Sequence, residues 1–169
     1  ALEATRDGVW DWNLERDILY WSPQAYRMLG YEPDEFLLSS EVWKELVHPD
    51  DYVAAWNTVT QNISERGDFF TIKFRYRTKD GGWKWVQARG VAVPVEEQGR
   101  PPRIVGVMFD VHDQKVTELE LQASEARYRD LFEQAPIGIY RATAQGDYIT
   151  VNPRHAQMYG YASPADMLT

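Results

Sequence analysis

Residues 69–113 constrain the fold most, because they have the pattern of three consecutive strands. In residues 70–77 apolar and polar side chains alternate, and this period of two is typical of a strand with one buried face. The Asp-Gly-Gly sequence at 80–82 predicts a hairpin turn, because glycine adopts positive φ without steric cost. The last strand, residues 104–111, is apolar on both faces. It is therefore predicted to be central in the sheet.

The residues before this meander predict two more strands and the helices that cover one face of the sheet. Residues 8–14 and 18–21 flank a polar turn and predict a second hairpin. Short helices are expected after Ser22 and at 40–47, and a longer helix is expected from Asp51 to about Arg66. Its predicted apolar face is made by Tyr52, Val53, Trp56, Val59 and Ile63. Five antiparallel strands with short helices on one face predict an α+β domain with a small apolar chamber between the layers.

Composition narrows the classes of function. The net charge is −8, which disfavours binding to a nucleic-acid backbone. The sequence has no cysteine, so disulfides, thiolate catalysis and cysteine-ligated metals are excluded. No apolar run approaches the roughly 18 residues of a membrane span. We therefore expect a cytoplasmic module without membrane contact of its own, which leaves open a membrane anchor elsewhere in a longer parent protein.

Residues 114–134 predict a linker helix, because they are rich in Glu, Gln, Ala and Leu and contain neither Gly nor Pro. One apolar stripe comprises Val116, Leu119, Ala123 and Ala126, and a second comprises Leu121, Tyr128, Leu131 and Ala135. Two interpretations stand. The helix either folds back on its own domain or, as we favour, pairs with a second copy across a dimer.

The sequence then repeats itself at an offset of 130 residues. Residues 138–140, 148–153 and 158–161 echo residues 8–10, 18–23 and 28–31. So many matches at a shared offset indicate an internal duplication. The sequence thus predicts a complete domain at 1–113, the linker at 114–134 and the first third of a second domain at 135–169.

These residues resemble a PAS domain with its C-terminal PAC motif, in the variant common in bacterial sensors. The landmarks are Gly8-Val9-Trp10-Asp11-Trp12, Trp21-Ser22-Pro23, Leu29-Gly30-Tyr31, Val47-His48-Pro49-Asp50-Asp51, Lys79-Asp80-Gly81, Arg89-Gly90, and Gly106 before Asp110-Val111. The segment 123–132 resembles the helix that joins successive PAS units. Where the family usually ends in Asp-Ile-Thr, this sequence reads Asp110-Val111-His112.

The resemblance implies a five-stranded antiparallel sheet, an internal cavity and a sensory or dimerisation role. The effector of such proteins is commonly a histidine kinase, a diguanylate cyclase or phosphodiesterase, or a transcription regulator. A conformational signal would leave through the C-terminal helix, with Asp110, Leu119 and Ala126 as candidate relay residues. The implied partners are a second copy of the chain and the neighbouring PAS and effector domains.

The candidate pocket residues are the large side chains expected near the chamber: Tyr26, Met28, Trp43, Trp56, Phe74 and Trp85. Bulky rings fill the space that a cofactor would occupy, so we expect no cofactor, with flavin or another small planar ligand as the alternative. His48 is expected to be structural, and His112 and His155 to lie on the surface. We expect no catalytic and no metal site, and the competing function is a ligand-free structural dimerisation domain.

Overall fold

The computed structural model describes residues 7–64, 69–93 and 103–168, with the backbone alone for 62–64. The chain forms two compact units, residues 1–115 and 116–169. The boundary falls within one long helix, two residues beyond the predicted end of the first domain. Residues 1–6 of that predicted domain lie outside the described part of the chain.

The first unit contains one five-stranded antiparallel sheet. Its strands are β1 (Gly8–Asn13), β2 (Ile18–Trp21), β3 (Phe70–Arg77), β4 (Trp83–Val93) and β5 (Arg103–Asp110), in the order β2-β1-β5-β4-β3. The strand β5 is central, as its two apolar faces predict. Along β3, Phe70, Phe74 and Tyr76 are buried while Thr71 and Lys73 are exposed. The predicted α+β class and strand count are confirmed.

Three helices connect the hairpin β1–β2 to the meander β3–β5. They are α1 (Pro23–Met28), α2 (Ser40–Leu46) and α3 (Pro49–Ser64). Ser22 and Ser39 cap α1 and α2, each accepting a hydrogen bond from a backbone amide of the first turn. The helix α3 begins at Pro49, two residues before the predicted start, because proline fits the first helical position. Its predicted end near Arg66 lies outside the described residues.

The buried face of α3 differs from the predicted one. Val53 is exposed, whereas Ala55 and Val59 are buried and Trp56 is half-buried. Starting from Tyr52, steps of three, four and seven residues reach these buried positions and pass over Val53. The prediction for Val53 was therefore wrong, because it followed residue hydrophobicity where helical spacing decides. The side chain of Ile63 lies outside the described part of the structure.

The core is built on tryptophans seated against the sheet. The indole of Trp10 lies over Gly106 and Gly90, which face each other on β5 and β4. A Cβ atom at Gly106 would stand 2.4 Å from the Trp10 ring and 2.1 Å from the carbonyl oxygen of Arg89. The Trp12 ring packs against Trp43, with ring centroids 5.6 Å apart. The two glycines thus provide the space that a flat-lying indole needs.

The remaining elements are α4 (His112–Gln134), β6 (Tyr140–Ala142), β7 (Tyr148–Val151), α5 (Pro153–Met158) and α6 (Pro164–Met167). A helix is present over the range of the predicted linker and begins two residues earlier than expected. Its first residues belong to the first unit and the rest to the second. No side chain of α4 is fully buried. The strands β6 and β7 pair antiparallel as a two-stranded sheet.

The predicted repeat is present in the hydrogen-bond pattern as well as in the amino-acid sequence. Ser22 N donates to Val9 O at 2.8 Å, and Asn152 N, 130 residues later, donates to Ile139 O at 2.9 Å. Gly30 and Gly160 end their helices with φ of 83° and 82°. Residues 138–161 therefore reproduce the hairpin and helix of residues 8–31.

Candidate functional site

A small apolar cavity lies between the sheet and the helices of the first unit. The room open to the centre of a water-sized sphere is about 30 Å³. Inward-facing residues of the strands and the inner faces of α2 and α3 line it: Trp10, Trp12, Leu19, Trp21, Trp43, Ala55, Val59, Phe70, Ile72, Phe74, Tyr76, Ala88 and Met108. The predicted chamber therefore exists, and aromatic rings largely fill it.

Few polar atoms belong to these walls. The indole Nε1 of Trp43 donates to the hydroxyl of Tyr76 at 2.7 Å. Burial raises the pKa of this Tyr76 hydroxyl far above its ordinary value, so it stays neutral and cannot act as a base. Among the described residues, the buried Nε1 of Trp10 has no hydrogen-bond partner. The cavity thus offers a guest mainly dispersion contacts.

The size of the cavity restricts what it can hold. About 30 Å³ exceeds the roughly 10–15 Å³ that one water molecule needs. It is far below the roughly 300–1,000 Å³ of typical ligand pockets. A flavin ring does not fit in this cavity without displacing several of the tryptophans that line it. In this conformation the chamber has room for a molecule of a few atoms.

The six predicted pocket residues divide into three groups. Trp43 and Phe74 line the cavity. Tyr26 and Trp56 are packed one layer behind it, with their rings against Trp21 and Trp12. Met28 and Trp85 lie elsewhere, so their assignment to the chamber was wrong.

Met28 is at the C-terminal end of α1, where it lines a surface groove together with Asp110. Trp85 is on the outer face of the sheet, because the alternation of β4 turns its neighbour Val86 inward. Arg75 and Lys115 lie over the Trp85 ring at 5.1 and 5.7 Å from its centroid. The period of two in β4 could have assigned Trp85 to this outer face.

Other cavity residues were missed by sequence reasoning. Trp21, Tyr76 and Met108 line the cavity but were not among the predicted pocket residues. Tyr76 shares the inward face of β3 with Phe74, so the alternation alone could have identified it. Met108 lies on a strand that is apolar on both faces, where alternation carries no signal.

The junction between the sheet and α4 is held by the side chain of Asp110. One carboxylate oxygen accepts from the backbone N–H of His112 at 3.0 Å, where α4 begins. The other forms an ion pair with Lys84 Nζ at 3.0 Å, and the same Nζ donates to the carbonyl oxygen of Met28 at 2.9 Å. Lys84 therefore connects the end of α1 to the start of α4 through Asp110.

The other two predicted relay residues are on α4, within the range of the second unit. Leu119 and Ala126 are both exposed. They are seven residues apart, so they lie on the same side of the helix. Their predicted role is not tested by the contacts of the described residues.

The three histidines have different surroundings. His48 is structural, since its Nδ1 accepts from Asp50 N at 3.2 Å and its backbone N donates to Arg75 O. The prediction that His112 and His155 are surface residues was wrong. His112 is half-buried and hydrogen-bonded to β4, and His155 is only 5% exposed among tyrosine rings.

The described residues contain no group of three or more His, Asp or Glu side chains that could hold a metal ion. In the same part of the chain, no helix is both long and apolar enough to cross a lipid bilayer.

Two family models match the sequence. A model described as "PAS fold" matches residues 18–108, which is more than half of the chain. A model described as "PAS domain" matches residues 126–169.

Several of the curated proteins that the chain resembles carry names of sensors or signalling enzymes. The chain is 27% identical over 135 residues to the sensor protein FixL of Bradyrhizobium diazoefficiens, covering 80% of the chain and 26% of that protein. It is 28% identical over 131 residues to the probable diguanylate cyclase DgcE of Escherichia coli, covering 77% of the chain and 11% of that protein. The chain thus spans only a minor part of these relatives.

A solved structure agrees with this fold. The crystal structure of a sensory box histidine kinase/response regulator from Burkholderia thailandensis matches with a TM-score of 0.67 and 32% identity. The match covers 78% of this chain and 96% of that one. Together with the sheet order and the matched residues 18–108, it establishes that the chain belongs to the PAS domain family.

Proposed function

We propose that this chain is a non-catalytic sensory and dimerisation module of a multidomain bacterial signal-transduction protein. The effector would be of the histidine kinase or cyclic-di-GMP type, as in the proteins that the chain resembles. A conformational signal would pass from the sheet and α1 into α4. The observation that carries the proposal is the bonding of Lys84 to both Met28 O and Asp110.

The physical basis is a short path of strong bonds. A displacement of α1 moves the carbonyl oxygen of Met28, and the Lys84 ammonium bonded to it must follow or release it. Because the same ammonium holds the Asp110 carboxylate, the cap of α4 experiences that change. Hydrogen bonds in which one partner is charged are stronger than neutral ones, which suits them to such coupling.

The helix α4 would then deliver the signal to a second copy and to the next domain. Its exposed apolar side chains fall in the two stripes described above, and the stripe that contains Leu119 would supply the surface on which two copies pair. Homodimer formation, contact with adjacent PAS and effector domains and a cytoplasmic position belong to this proposal, as does the lack of nucleic-acid and membrane contacts.

The relay is tested by Lys84→Met in the full-length parent protein. This change removes both bonds of the ammonium and leaves the Asp110 cap of α4 in place. We expect the basal or stimulated effector output to change about fivefold or more, the lower range of typical coupling energies. Lys73→Met, at an exposed position of β3, is the matched control and should leave output unchanged. Normal output from Lys84→Met would refute this path.

The route through α4 has its own test. Ala126→Pro interrupts the helix, whereas Ala126→Gly only weakens it. We expect Ala126→Pro to abolish the response and Ala126→Gly to reduce it. For pairing, Leu119→Gln should shift the monomer–dimer equilibrium in sedimentation toward monomer, and Glu120→Gln should not. A dimer that is indifferent to Leu119→Gln would exclude this part of the stripe from the interface.

A second function is favoured by a different observation. The aromatic rings leave a cavity of only about 30 Å³, which supports a ligand-free structural dimerisation domain. Native mass spectrometry of gently purified protein distinguishes a sensory module from a ligand-free dimerisation domain. A stoichiometric extra mass supports sensing through a bound ligand, and its absence together with a stable dimer supports assembly.

A further inference from the structure

His112 fastens the start of α4 to the strand β4. The backbone N–H of Trp85 donates to the imidazole Nδ1 of His112 at 3.3 Å. The backbone carbonyl of the same Trp85 accepts from Val111 N at 3.2 Å. The two bonds continue the β4–β5 ladder past its last residue pair, with a side chain in place of the next backbone acceptor.

Only one protonation state of His112 can make this bond. A neutral imidazole protonated on Nε2 leaves the Nδ1 lone pair free to accept. In the charged form both nitrogens carry hydrogen, so Nδ1–H would face the Trp85 N–H and neither could accept. Histidine is the side chain whose ordinary charge change falls between about pH 5 and 8.

Some charged groups around the junction disfavour the charged form of His112, and others favour it. A cation in the first turn of α4 is disfavoured by the positive end of the helix dipole. Lys84 is bonded to Asp110, and Arg75 and Lys115 lie over the Trp85 ring, so these three basic groups oppose a further positive charge at the junction. Two acids flank the imidazole in sequence, Asp110 on β5 and Asp113 on α4, and can attract it once it is charged.

We propose that His112 is a protonation-sensitive clasp. Its neutral form holds the first turn of α4 to β4. Its charged form loses the hydrogen bond from the Trp85 N–H, turns toward the flanking carboxylates and releases that turn. A mildly acidic medium would thereby loosen the junction that Asp110 caps. The inference adds a regulatory input to the proposed relay, but its test uses no effector output, so either idea can fail alone.

The test measures amide hydrogen exchange by NMR on the 169-residue chain at pH 8 and pH 5, expressed as protection factors so that the intrinsic pH dependence cancels. The probes are the amides of Trp85 and of Lys115, whose N–H donates to Val111 O in the first turn of α4. Loss of one hydrogen bond corresponds to a protection change of about fivefold to tenfold. We expect both amides to lose about this much protection at pH 5.

Three variants keep the result interpretable. His112→Asn retains an acceptor in the Nδ1 position and cannot be charged, so its protection should not change with pH. His112→Ala removes the acceptor, so Trp85 should be weakly protected at both pH values. His48→Asn is the matched control, since His48 Nδ1 also accepts a backbone bond at a helix start, and it should leave the wild-type pH change at Trp85 intact.

The proposal is overturned if Trp85 has the same protection factor at pH 8 and pH 5 in the wild-type chain. It is equally overturned if His112→Asn reproduces the wild-type pH change, because another group would then be titrating. A loss confined to Trp85, with Lys115 unaffected, would refute the release of the helix.

Discussion

Residues 8–31 of the first unit and residues 138–161 of the second form the same hairpin and helix, yet their side chains are buried to different degrees. Trp10 is 6% exposed and its counterpart Tyr140 is 56% exposed. Leu29 is 1% exposed and its counterpart Tyr159 is 61% exposed. In the first unit the following helices and meander cover this face, and residues up to 169 include no equivalent of them. Local sequence is therefore sufficient for the backbone pattern, whereas burial depends on distant strands.

The largest test of this comparison replaces the same position in both copies. Leu29→Ala removes a buried side chain and should lower the free energy of unfolding by about 2–5 kcal/mol. Tyr159→Ala changes an exposed side chain and should alter local stability by no more than about 0.5 kcal/mol. All seven tryptophans lie between residues 10 and 85, so tryptophan fluorescence during urea unfolding reports on the first unit alone.

The second unit is followed through hydrogen exchange of the Asn152 amide, which donates to Ile139 O. The protection of this amide gives a local free energy of opening. If Tyr159→Ala lowered that free energy as much as Leu29→Ala lowers the free energy of unfolding of the first unit, the two faces would be equally packed. The comparison would then be broken.

The second prediction concerns the two glycines beneath Trp10, Gly90 and Gly106, whose counterparts are not among residues 135–169. Gly106→Ala places a Cβ 2.1 Å from a backbone oxygen and 2.4 Å from the Trp10 ring. Because backbone atoms cannot move aside without disturbing the sheet, we expect the free energy of unfolding in urea to fall by about 3 kcal/mol. Gly82→Ala is the control, since its Cβ would meet only flexible side-chain atoms at 3.2 Å or more. Equal stability of the two variants would mean that the indole does not lie against Gly106.

The third prediction uses an ion pair between α3 and β3, elements whose counterparts are not among residues 135–169. Arg75 donates through its side chain to both oxygens of Asp51, at 2.8 Å each, and its backbone N donates at 2.9 Å. The hydrogen bonds from the Arg75 side chain hold the pKa of Asp51 below its ordinary value of 3.8. Asp51→Asn should cost about 2 kcal/mol near neutral pH, because bonds to a charged group are lost.

The lowered pKa of Asp51 fixes the direction of the pH dependence. The contribution is complete above the ordinary value of 3.8 and is lost as the pH falls through the lower folded-state pKa. Below about pH 4 the difference between wild type and Asp51→Asn should therefore shrink. Asp50→Asn is the control, because that side chain is 77% exposed whereas Asp51 is 17% exposed. A difference that stays constant down to pH 2 would contradict the ionic origin.

Sequence patterns predicted the strands, the central position of β5 and the Ser22 cap of α1, because each of these depends on residues close together in the chain. The repeat was predicted from matching residues at a constant offset of 130. The alternation in β3 predicted that Phe74 is in the core, and Ser22, as an N-cap, predicted the start of α1. The PAS resemblance predicted the chamber. The number of bulky rings indicated that this chamber would be filled, but not which residues line it, because that depends on how rings from different elements pack.

Errors arose where tertiary contacts decide the role of a side chain. Trp85 is large and apolar, but its outward position on β4 makes it a platform for Arg75 and Lys115. His112 looked isolated because its partner, the backbone N–H of Trp85, belongs to β4, which is distant from His112 in the sequence. The bonds of Lys84 were likewise invisible, since Met28 is 56 residues away along the chain.

The fourth prediction concerns the N-cap of the repeated helix, where the two copies carry different residues. Ser22 and Asn152 occupy equivalent positions, and each side-chain oxygen accepts from two backbone amides. The Nδ2 of Asn152 additionally donates to Phe132 O at 3.0 Å and to Ile137 O at 2.9 Å. Asn152 therefore ties β7 to the last turn of α4, which a serine cannot do.

Asn152→Ser converts this cap into that of the first copy. The acceptor bonds can persist while the two donor bonds are lost, so we expect a local loss of about 1 kcal/mol. The amides of Ile139 and His155 report on the acceptor bonds, and the amides of the last turn of α4 report on the tether. Exchange should quicken in that turn more than at Ile139, since only the donor bonds are lost. Because the serine cap suffices in the first unit, a collapse of the whole second unit would show that the tether to α4, rather than the cap, maintains the second hairpin.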